Sequence, residues 1–143
     1  MKKIFILVAL CIVFTSCGED KDISIIGGAD GPTAITVGER KMYINISQEE
    51  AKRIMDSGEE YVLLDVREQS EYDEGHIPGA ILIPYTEIEE KAESMIPDKN
   101  AQILVYCRSG RRSKIASEAL LKLGYTDIKE FGGIIDWKYE IEK

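Results

Sequence analysis

The chain has 143 residues and a formal net charge of −8 at neutral pH. That length suits a single domain with its own hydrophobic core. A content of 44% hydrophobic and 31% charged residues is typical of a globular protein and argues against a disordered one. The acidic balance argues against nucleic-acid binding, which needs a basic protein face.

Residues 1–16 have the organisation of an export signal. A basic start precedes an apolar run of 11 residues, 4–14, and polar residues begin at Gly18. A helix needs about 20 apolar residues to span a bilayer, so an uncleaved membrane anchor fits less well than a cleavable signal. The basic start and the abrupt polar exit also favour an export signal over a buried helix.

The end of this segment resembles the lipid-attachment motif of bacterial lipoproteins. Thr15 and Ser16 precede Cys17 as small residues, and Phe14 stands where that motif usually has leucine. The resemblance implies cleavage before Cys17 and attachment of lipid to its side chain. The protein would then be membrane-anchored and extracytoplasmic, at the outer face of the cell membrane or in the periplasm.

Residues 17–41 are predicted to be a linker or tether, because they are rich in Gly and Asp and lack a sustained period. Within them, residues 25–35 resemble a short signature of the membrane beta subunits of sodium-pumping decarboxylases. No membrane spans surround the segment to hold an ion site. We therefore interpret it as a turn-rich tether or short docking element and give Asp30 no ion-binding role.

Residues 42–143 alternate between strand and helix patterns and are predicted to form one folded domain. Strands are predicted at residues 42–46, 61–66, 80–83, 103–106 and 128–131. Helices are predicted after capping boxes at residues 47–50 and 86–89, over residues 69–73 and 114–123, and as a last turn bearing Trp137. Strands that are apolar throughout indicate a parallel sheet with helices on both faces, which is an α/β fold.

Cys107 lies between a predicted strand and a predicted helix, at the start of a basic loop. A thiol there is close to a helix N-terminus, where backbone N–H groups and the macrodipole favour negative charge. Arg108, Arg111 and Arg112 add positive charge nearby. These features predict a reactive thiolate that acts on a small anionic substrate, and they argue against an inert core cysteine.

The chain has three cysteines. Cleavage of the export signal would remove Cys11, and Cys17 would carry lipid. Cys107 would then be the only free thiol of the mature chain, which excludes a disulfide framework within it. A lone thiol in an exported protein is also open to oxidation.

Three motifs, in order along the chain, resemble those of the rhodanese-like sulfurtransferase family. Residues 65–68 with 71–80 match its N-terminal signature, residues 107–113 its active-site loop and residues 131–137 its C-terminal signature. The resemblance covers about residues 43–142 and is to the small single-domain members, including exported ones. It implies the rhodanese-like fold, a central parallel sheet with helices on both faces.

The resemblance implies that Cys107 is the catalytic residue of a thiosulfate sulfurtransferase. It would take the outer sulfur of a small anionic donor such as thiosulfate as a persulfide, and pass it to cyanide or to an acceptor thiol on a small molecule or protein. The loop amides would stabilise the persulfide, and no metal or other cofactor is expected. Substrate binding is assigned to the rest of the loop: Arg108, Ser109, Gly110, Arg111, Arg112 and Ser113.

Within the loop, the family often places the position after the cysteine and the fifth one at the mouth of the site. We therefore expect Arg108 and Arg112 to contact the donor before Arg111. The hydroxyls of Ser109 and Ser113 can donate hydrogen bonds within the loop, and Ser113 can also cap the helix that follows.

A cysteine phosphatase or arsenate reductase is the nearest alternative. Phosphatases of related fold need an arginine six positions after the cysteine, and that position here is Ser113. The loop therefore has the size that family members use for sulfur, and a phosphate would need a longer one.

Six residues of the other motifs are interpreted as structural: Asp65, Arg67, His76, Gly132, Gly133 and Trp137. Asp65 and Arg67 resemble a catalytic pair at a strand end, but the family resemblance implies a structural charge network. His76, the only histidine, is interpreted as a packing and hydrogen-bonding element of a turn. Gly132 and Gly133 are predicted to supply backbone conformations closed to other residues, and the tryptophan is predicted to anchor the core.

A second hypothesis comes from another class of protein. The domain could relay or sense sulfane sulfur for a dedicated membrane partner without turnover on small molecules. A third hypothesis, a thiol reductase, is weakened because the mature chain would lack a resolving cysteine.

Overall fold

The computed structural model describes residues 42–143, and five parallel strands form the central sheet of this part of the chain. In chain order they are β1 (Ile44–Asn45), β2 (Val62–Asp65), β3 (Ile81–Leu82), β4 (Gln102–Cys107) and β5 (Asp127–Gly133). Across the sheet their order is β1-β5-β4-β2-β3, and every neighbouring pair is parallel. Strand β4 therefore lies at the centre, between β5 and β2.

Helices cover both faces of this sheet. They are α1 (Gln48–Asp56), α2 (Gln69–Glu74), α3 (Ile88–Met95) and α4 (Arg111–Lys122). Val105 and Leu104, successive residues of β4, lie in two different hydrophobic cores. Val105 packs in the core that contains Ala116 and Leu120 of α4. Leu104 packs in the core that contains Ala51 of α1. The predicted α/β fold with helices on both faces of a parallel sheet is confirmed.

Several element boundaries differ from the prediction. The first three strands are shorter than expected, with β1 and β3 reduced to two residues each. The predicted cap of α1 forms, because the Ser47 hydroxyl accepts the Glu50 N–H at 3.1 Å. The capping box predicted at residues 86–89 is wrong, since Glu87 precedes α3 without a side-chain cap hydrogen bond.

Helix α4 begins at Arg111, three residues before the predicted start. Gly110 occupies the N-cap position with φ of +98°, a left-handed conformation that suits glycine. This tight turn carries the chain from the end of β4 directly into the helix. Ser113 consequently lies inside the first helical turn, where its hydroxyl oxygen is 3.0 Å from the Gly110 carbonyl oxygen. The N-cap residue is Gly110, so the prediction that Ser113 caps the helix is wrong.

Strand β5 extends through both glycines of the C-terminal motif, beyond the predicted end at residue 131. Gly132 has φ of +91°, as the predicted need for an unusual conformation requires. For Gly133 that reason is wrong, because its φ of −129° is open to any residue. Position 133 has no room for a side chain, because an added Cβ would lie 2.0 Å from the Arg108 carbonyl oxygen. The loop after β4 thus packs directly on β5.

The predicted export signal of residues 1–16, the lipidation site Cys17 and the linker of residues 17–41 lie outside the described residues. Within residues 42–143, no helix has the length and apolar character needed to cross a membrane.

Candidate active site

Cys107 is the last residue of β4, and the loop that follows closes around its sulfur. The residue is 1% exposed. The Gly110 N–H donates to Sγ at 3.0 Å, and the Ser113 hydroxyl oxygen lies 3.5 Å from Sγ. The short turn at Gly110 brings both groups to the sulfur. The structure therefore gathers Cys107 and the end of the predicted substrate loop into one small site.

The surroundings lower the pKa of the Cys107 thiol from its ordinary value. Burial is the largest single influence and acts in the opposite direction, because it penalises the charged thiolate. Hydrogen bonds from the Ser113 side chain and from the N–H groups of Ser113, Gly110 and Ser109 together outweigh it. The loop can therefore hold an anionic sulfur, which is the nucleophilic form of cysteine.

The three loop arginines have different environments. The Nη1 and Nη2 atoms of Arg112 donate to the Glu71 carboxylate at 2.6 and 2.8 Å. These hydrogen bonds lower the pKa of Glu71 to about 2. Arg108 and Arg111 are exposed, and neither has an ion pair within the part of the chain that the structure describes. The solvent-facing positive charge of the loop is thus carried by Arg108 and Arg111, whereas the sequence favoured Arg108 and Arg112 as the arginines that contact the donor.

Glu130 of β5 belongs to the surroundings of the site, and sequence reasoning missed it. The residue is 3% exposed, and its Oε1 accepts from the Ser113 hydroxyl at 2.6 Å and from the Gly132 N–H at 2.9 Å. Glu130 stands two positions after Ile128, and therefore on the same face of the strand as this apolar residue. An acidic residue on that face was the signal that could have revealed it.

Ser113 also bears on the phosphatase alternative. It occupies the position that would need an arginine, is fully buried and binds a carboxylate. A carboxylate at that place would repel a phosphate, so the geometry adds to the sequence argument against this chemistry.

Asp65 and Arg67, at the end of β2, form a closed ion pair. The Arg67 Nη2 lies 2.7 Å from the Asp65 Oδ2 and also donates to the Gly75 carbonyl at 2.7 Å. Both residues are buried. The His76 ring stacks on Tyr72 at 3.7 Å between centroids. Within residues 42–143, the Asp65 side chain bonds to Arg67, and the His76 ring contacts the Tyr72 carbonyl and the Glu142 carboxylate. None of these hydrogen bonds reaches the sulfur.

Trp137 directly follows a short 3-10 helix (Ile134–Asp136) after β5. Its ring packs 5.7 Å from that of Phe131 between centroids, and its Nε1 donates to the Glu140 carbonyl at 3.1 Å. An open groove of about 660 Å³ runs beside the Cys107 loop, with Ser109, Gly133 and Trp137 among its lining residues. The groove offers space for a substrate or acceptor next to the loop.

The described residues contain no group of three or more His, Cys, Asp or Glu side chains placed to hold a metal ion. The chemistry that residues 42–143 provide at the site is that of a thiolate, backbone amides and nearby arginines.

Comparison with known proteins identifies the family. The model of the rhodanese-like domain matches residues 47–140, which include all three motifs and the whole site. The chain therefore belongs to the rhodanese-like domain family, as the motifs predicted.

Curated relatives carry names from sulfur chemistry. Over 73 residues the chain is 42% identical to the thiosulfate sulfurtransferase PspE of Escherichia coli, covering 51% of this chain and 70% of that protein. It is 40% identical over 98 residues to the putative sulfur carrier protein YrkF of Bacillus subtilis, covering 68% of this chain and 52% of that protein. These relatives support sulfur transfer as the general activity of the domain.

Solved structures share the fold. A rhodanese with anions from E. coli has 38% identity and a TM-score of 0.55, covering 58% of this chain and 98% of that one. A rhodanese-like domain protein from Staphylococcus aureus has 30% identity and a TM-score of 0.62, covering 71% of this chain and 97% of that one.

Proposed function

We propose that this protein is a sulfurtransferase that uses Cys107 to accept sulfane sulfur from a small anionic donor such as thiosulfate. The observation that carries the proposal is the set of N–H donors around the sulfur, with the Gly110 N–H at 3.0 Å from Sγ. The same donors lower the pKa of the thiol, in spite of its burial. A sulfur anion at this place is therefore more stable than that of an ordinary cysteine, through donors that the loop itself supplies.

The reaction has two steps. In the first, the Cys107 thiolate attacks the outer sulfur of thiosulfate, a new S–S bond forms, and sulfite leaves with the electron pair of the broken S–S bond. In the second, an acceptor thiolate or cyanide attacks the outer sulfur of the persulfide, and Cys107 leaves as the thiolate. The negative charge of the persulfide rests on its outer sulfur, where the loop amides and the exposed charges of Arg108 and Arg111 would stabilise it.

Peptide-resolved mass spectrometry after thiosulfate treatment tests this function. We expect the peptide with Cys107 to gain one sulfur, and cyanide to remove it as thiocyanate. The Cys107→Ala variant should show neither event. An unmodified Cys107 peptide, together with no thiocyanate from the wild-type protein, would contradict the proposal.

We also propose that the protein acts outside the cytoplasm, attached to a membrane by lipid on Cys17. The support is the basic start, the short apolar run and the small residues before Cys17. Metabolic labelling with a clickable fatty acid should mark the wild-type protein and leave a Cys17→Ala variant unlabelled. Equal labelling of both would contradict lipidation at this residue.

A second candidate is a sulfur relay that serves a membrane partner with little turnover on small molecules. The similarity to the putative sulfur carrier YrkF favours it. A Cys107→Ser variant separates the two functions in a pull-down from membranes. If wild type and Cys107→Ser retain a partner equally, and the wild type forms thiocyanate slowly, the relay is supported. Fast thiocyanate formation by the wild type supports the enzyme.

A further inference from the structure

Glu130 is a buried carboxylate beside the reactive sulfur. It is 3% exposed, and its Oε1 accepts hydrogen bonds from Ser113 and from the Gly132 N–H. Within residues 42–143 no Lys, Arg or His lies within ion-pair distance of it. Burial of an unpaired carboxylate is costly, so this position needs an explanation that packing does not give.

The Ser113 hydroxyl connects this carboxylate to Cys107. Its oxygen lies 2.6 Å from the Glu130 Oε1, 3.0 Å from the Gly110 carbonyl oxygen and 3.5 Å from the Cys107 Sγ. A serine hydroxyl has a single proton to donate. The proton can therefore serve only one of these three acceptors at a time.

Glu130 is the strongest of the three competitors. A charged acceptor forms a stronger hydrogen bond than a neutral carbonyl, and the carboxylate is 0.9 Å closer to the hydroxyl oxygen than the sulfur is. The hydrogen bond from the Ser113 side chain lowers the pKa of the Cys107 thiol only while the hydroxyl turns its proton towards the sulfur. With the proton on Glu130, the Ser113 oxygen has only lone pairs to offer to Cys107. Lone pairs accept from a thiol S–H but repel a thiolate.

We propose that Glu130 is a positioning residue that keeps the Ser113 proton away from Cys107 and so favours the thiol form of the cysteine over the thiolate. It counteracts the N–H groups of the loop, which favour the thiolate. The two opposing influences meet at one sulfur atom and together set the pH range in which that sulfur becomes nucleophilic. This inference rests on the proposed role of Cys107 as nucleophile.

Tyr43 and Glu118 are titratable groups near this carboxylate. Burial, the charge of Glu118 and the charge of Glu130, in that order of size, raise the pKa of the Tyr43 hydroxyl. Glu118 lies on the same helix as Ser113 but is exposed. Arg112, in the first turn of that helix, is paired with Glu71. Removal of Glu118 is therefore a matched control: it takes one negative charge from the same neighbourhood without touching the Ser113 hydroxyl.

The experiment measures the rate of Cys107 alkylation by iodoacetamide against pH in the full-length protein, resolved by peptide mass spectrometry. Iodoacetamide is neutral, so the charge of a variant does not change its approach. In Glu130→Gln the amide oxygen can still accept from Gly132, but the thiolate becomes the only charged acceptor for Ser113. We expect the midpoint of the profile to fall by about one pH unit, which means about tenfold faster alkylation below the midpoint.

Ser113 provides the second arm of the experiment. In a Ser113→Ala background, the Glu130→Gln change should shift the midpoint by less than half as much, because the effect passes through the hydroxyl. Glu118→Gln should leave the profile within a few tenths of a unit. If Glu130→Gln unfolds the protein, Ser113→Thr, which keeps the hydroxyl, should retain the wild-type profile and Ser113→Ala should change it.

Three results would overturn the inference. They are an unchanged midpoint in folded Glu130→Gln, an undiminished shift in the Ser113→Ala background, and an unchanged midpoint in Ser113→Ala itself. The second result would mean that Glu130 acts by charge alone. Alkylation does not require sulfur transfer, so failure of the proposed function would instead appear as absence of a persulfide in the wild-type protein.

Discussion

Two neighbouring strands, β2 and β4, each end at a group that can be negatively charged, and the two groups are stabilised differently. At the end of β2, the Asp65 carboxylate receives hydrogen bonds from the Arg67 side chain at 2.7 to 3.0 Å and is fully buried. At the end of β4, the Cys107 sulfur accepts hydrogen bonds from main-chain N–H groups. The nearby Arg112 is paired with Glu71. One anion has its own cation, and the other does not.

This difference fits a structural role for Asp65 and the proposed nucleophilic role of Cys107, on the same edge of the sheet. An anion that is paired with a fixed guanidinium is a poor nucleophile, and its interaction with the cation contributes to the stability of the fold. A sulfur anion that is held by hydrogen bonds and has no cation of its own keeps a free lone pair, and the loop amides can also stabilise the charge on the outer sulfur of a persulfide. The predictions below test this division of roles.

The largest expected effect is on activity and concerns Cys107→Ser. This change keeps the size of the side chain but removes the easily ionised sulfur, so sulfur transfer should fall by a factor of about 1,000 or more. Stability should change by no more than about 1 kcal/mol, because packing is preserved. Thiocyanate formation and urea unfolding measure the two quantities. Substantial remaining turnover would place the nucleophile elsewhere.

Arg67→Met should show the reverse pattern. It leaves the Asp65 carboxylate buried without its cation and should destabilise the fold by about 3–5 kcal/mol. The alkylation rate of Cys107 in the folded protein should stay the same. Lys52→Met is the control, because the Lys52–Asp56 pair is exposed to solvent and should contribute little to stability. A large change in Cys107 reactivity in folded Arg67→Met would join the two strand ends into one functional unit.

Gly133→Ala tests the contact between β5 and the loop. Its Cβ would lie 2.0 Å from the Arg108 carbonyl oxygen and 2.5 Å from the Ser109 Cα. The loop backbone must move away, at a cost of about 2 kcal/mol, and the N–H groups should no longer converge on the sulfur. We expect the pKa of the Cys107 thiol, measured by the pH dependence of alkylation, to rise towards that of free cysteine.

Gly58→Ala is the control for backbone strain. Gly58 has φ of +82° and no atom within 4 Å of an added Cβ. The change should cost about 1 kcal/mol and leave the thiol unaffected. An equal effect of both alanine variants on alkylation would contradict a specific role for the contact at Gly133.

The parts of this molecule that the sequence predicts are those with local patterns. Continuous apolar strands indicated the parallel sheet, and the order of strand, Cys107 and helix indicated where a thiol would meet N–H groups. The family motifs led to the same place. These features depend on residues close together in the chain, so their pattern is visible before folding.

The parts that the sequence did not reveal depend on contacts between distant residues. The Arg112–Glu71 pair joins residues 41 positions apart, and the Ser113–Glu130 hydrogen bond joins residues 17 apart. Neither partner predicts the other by spacing or by residue type. Gly133 was predicted for a conformational reason, but its true constraint is the Arg108 backbone, which only the sheet register brings near.

The smallest expected effect concerns Glu71, whose ion pair with Arg112 is partly exposed. The pKa of Glu71 is lowered from 4.5 to about 2 in the folded protein, chiefly by the hydrogen bonds from Arg112. A carboxyl group with a lowered folded pKa stabilises the fold above its unfolded pKa, and this stabilisation is lost as pH falls towards the folded value. Because solvent screens the pair, Glu71→Gln should cost about 1 kcal/mol at pH 7.

Urea unfolding at pH 7, pH 4 and pH 2.5 measures this dependence. The difference between wild type and Glu71→Gln should be largest at pH 7, smaller at pH 4 and smallest at pH 2.5, and it should be lost completely only below the folded pKa of about 2. Glu87→Gln, which removes an exposed partner of Lys91, should show a smaller difference at pH 7. A difference that stays constant with pH would mean that the charge of Glu71 does not stabilise the fold, and it would contradict a stabilising ion pair with Arg112.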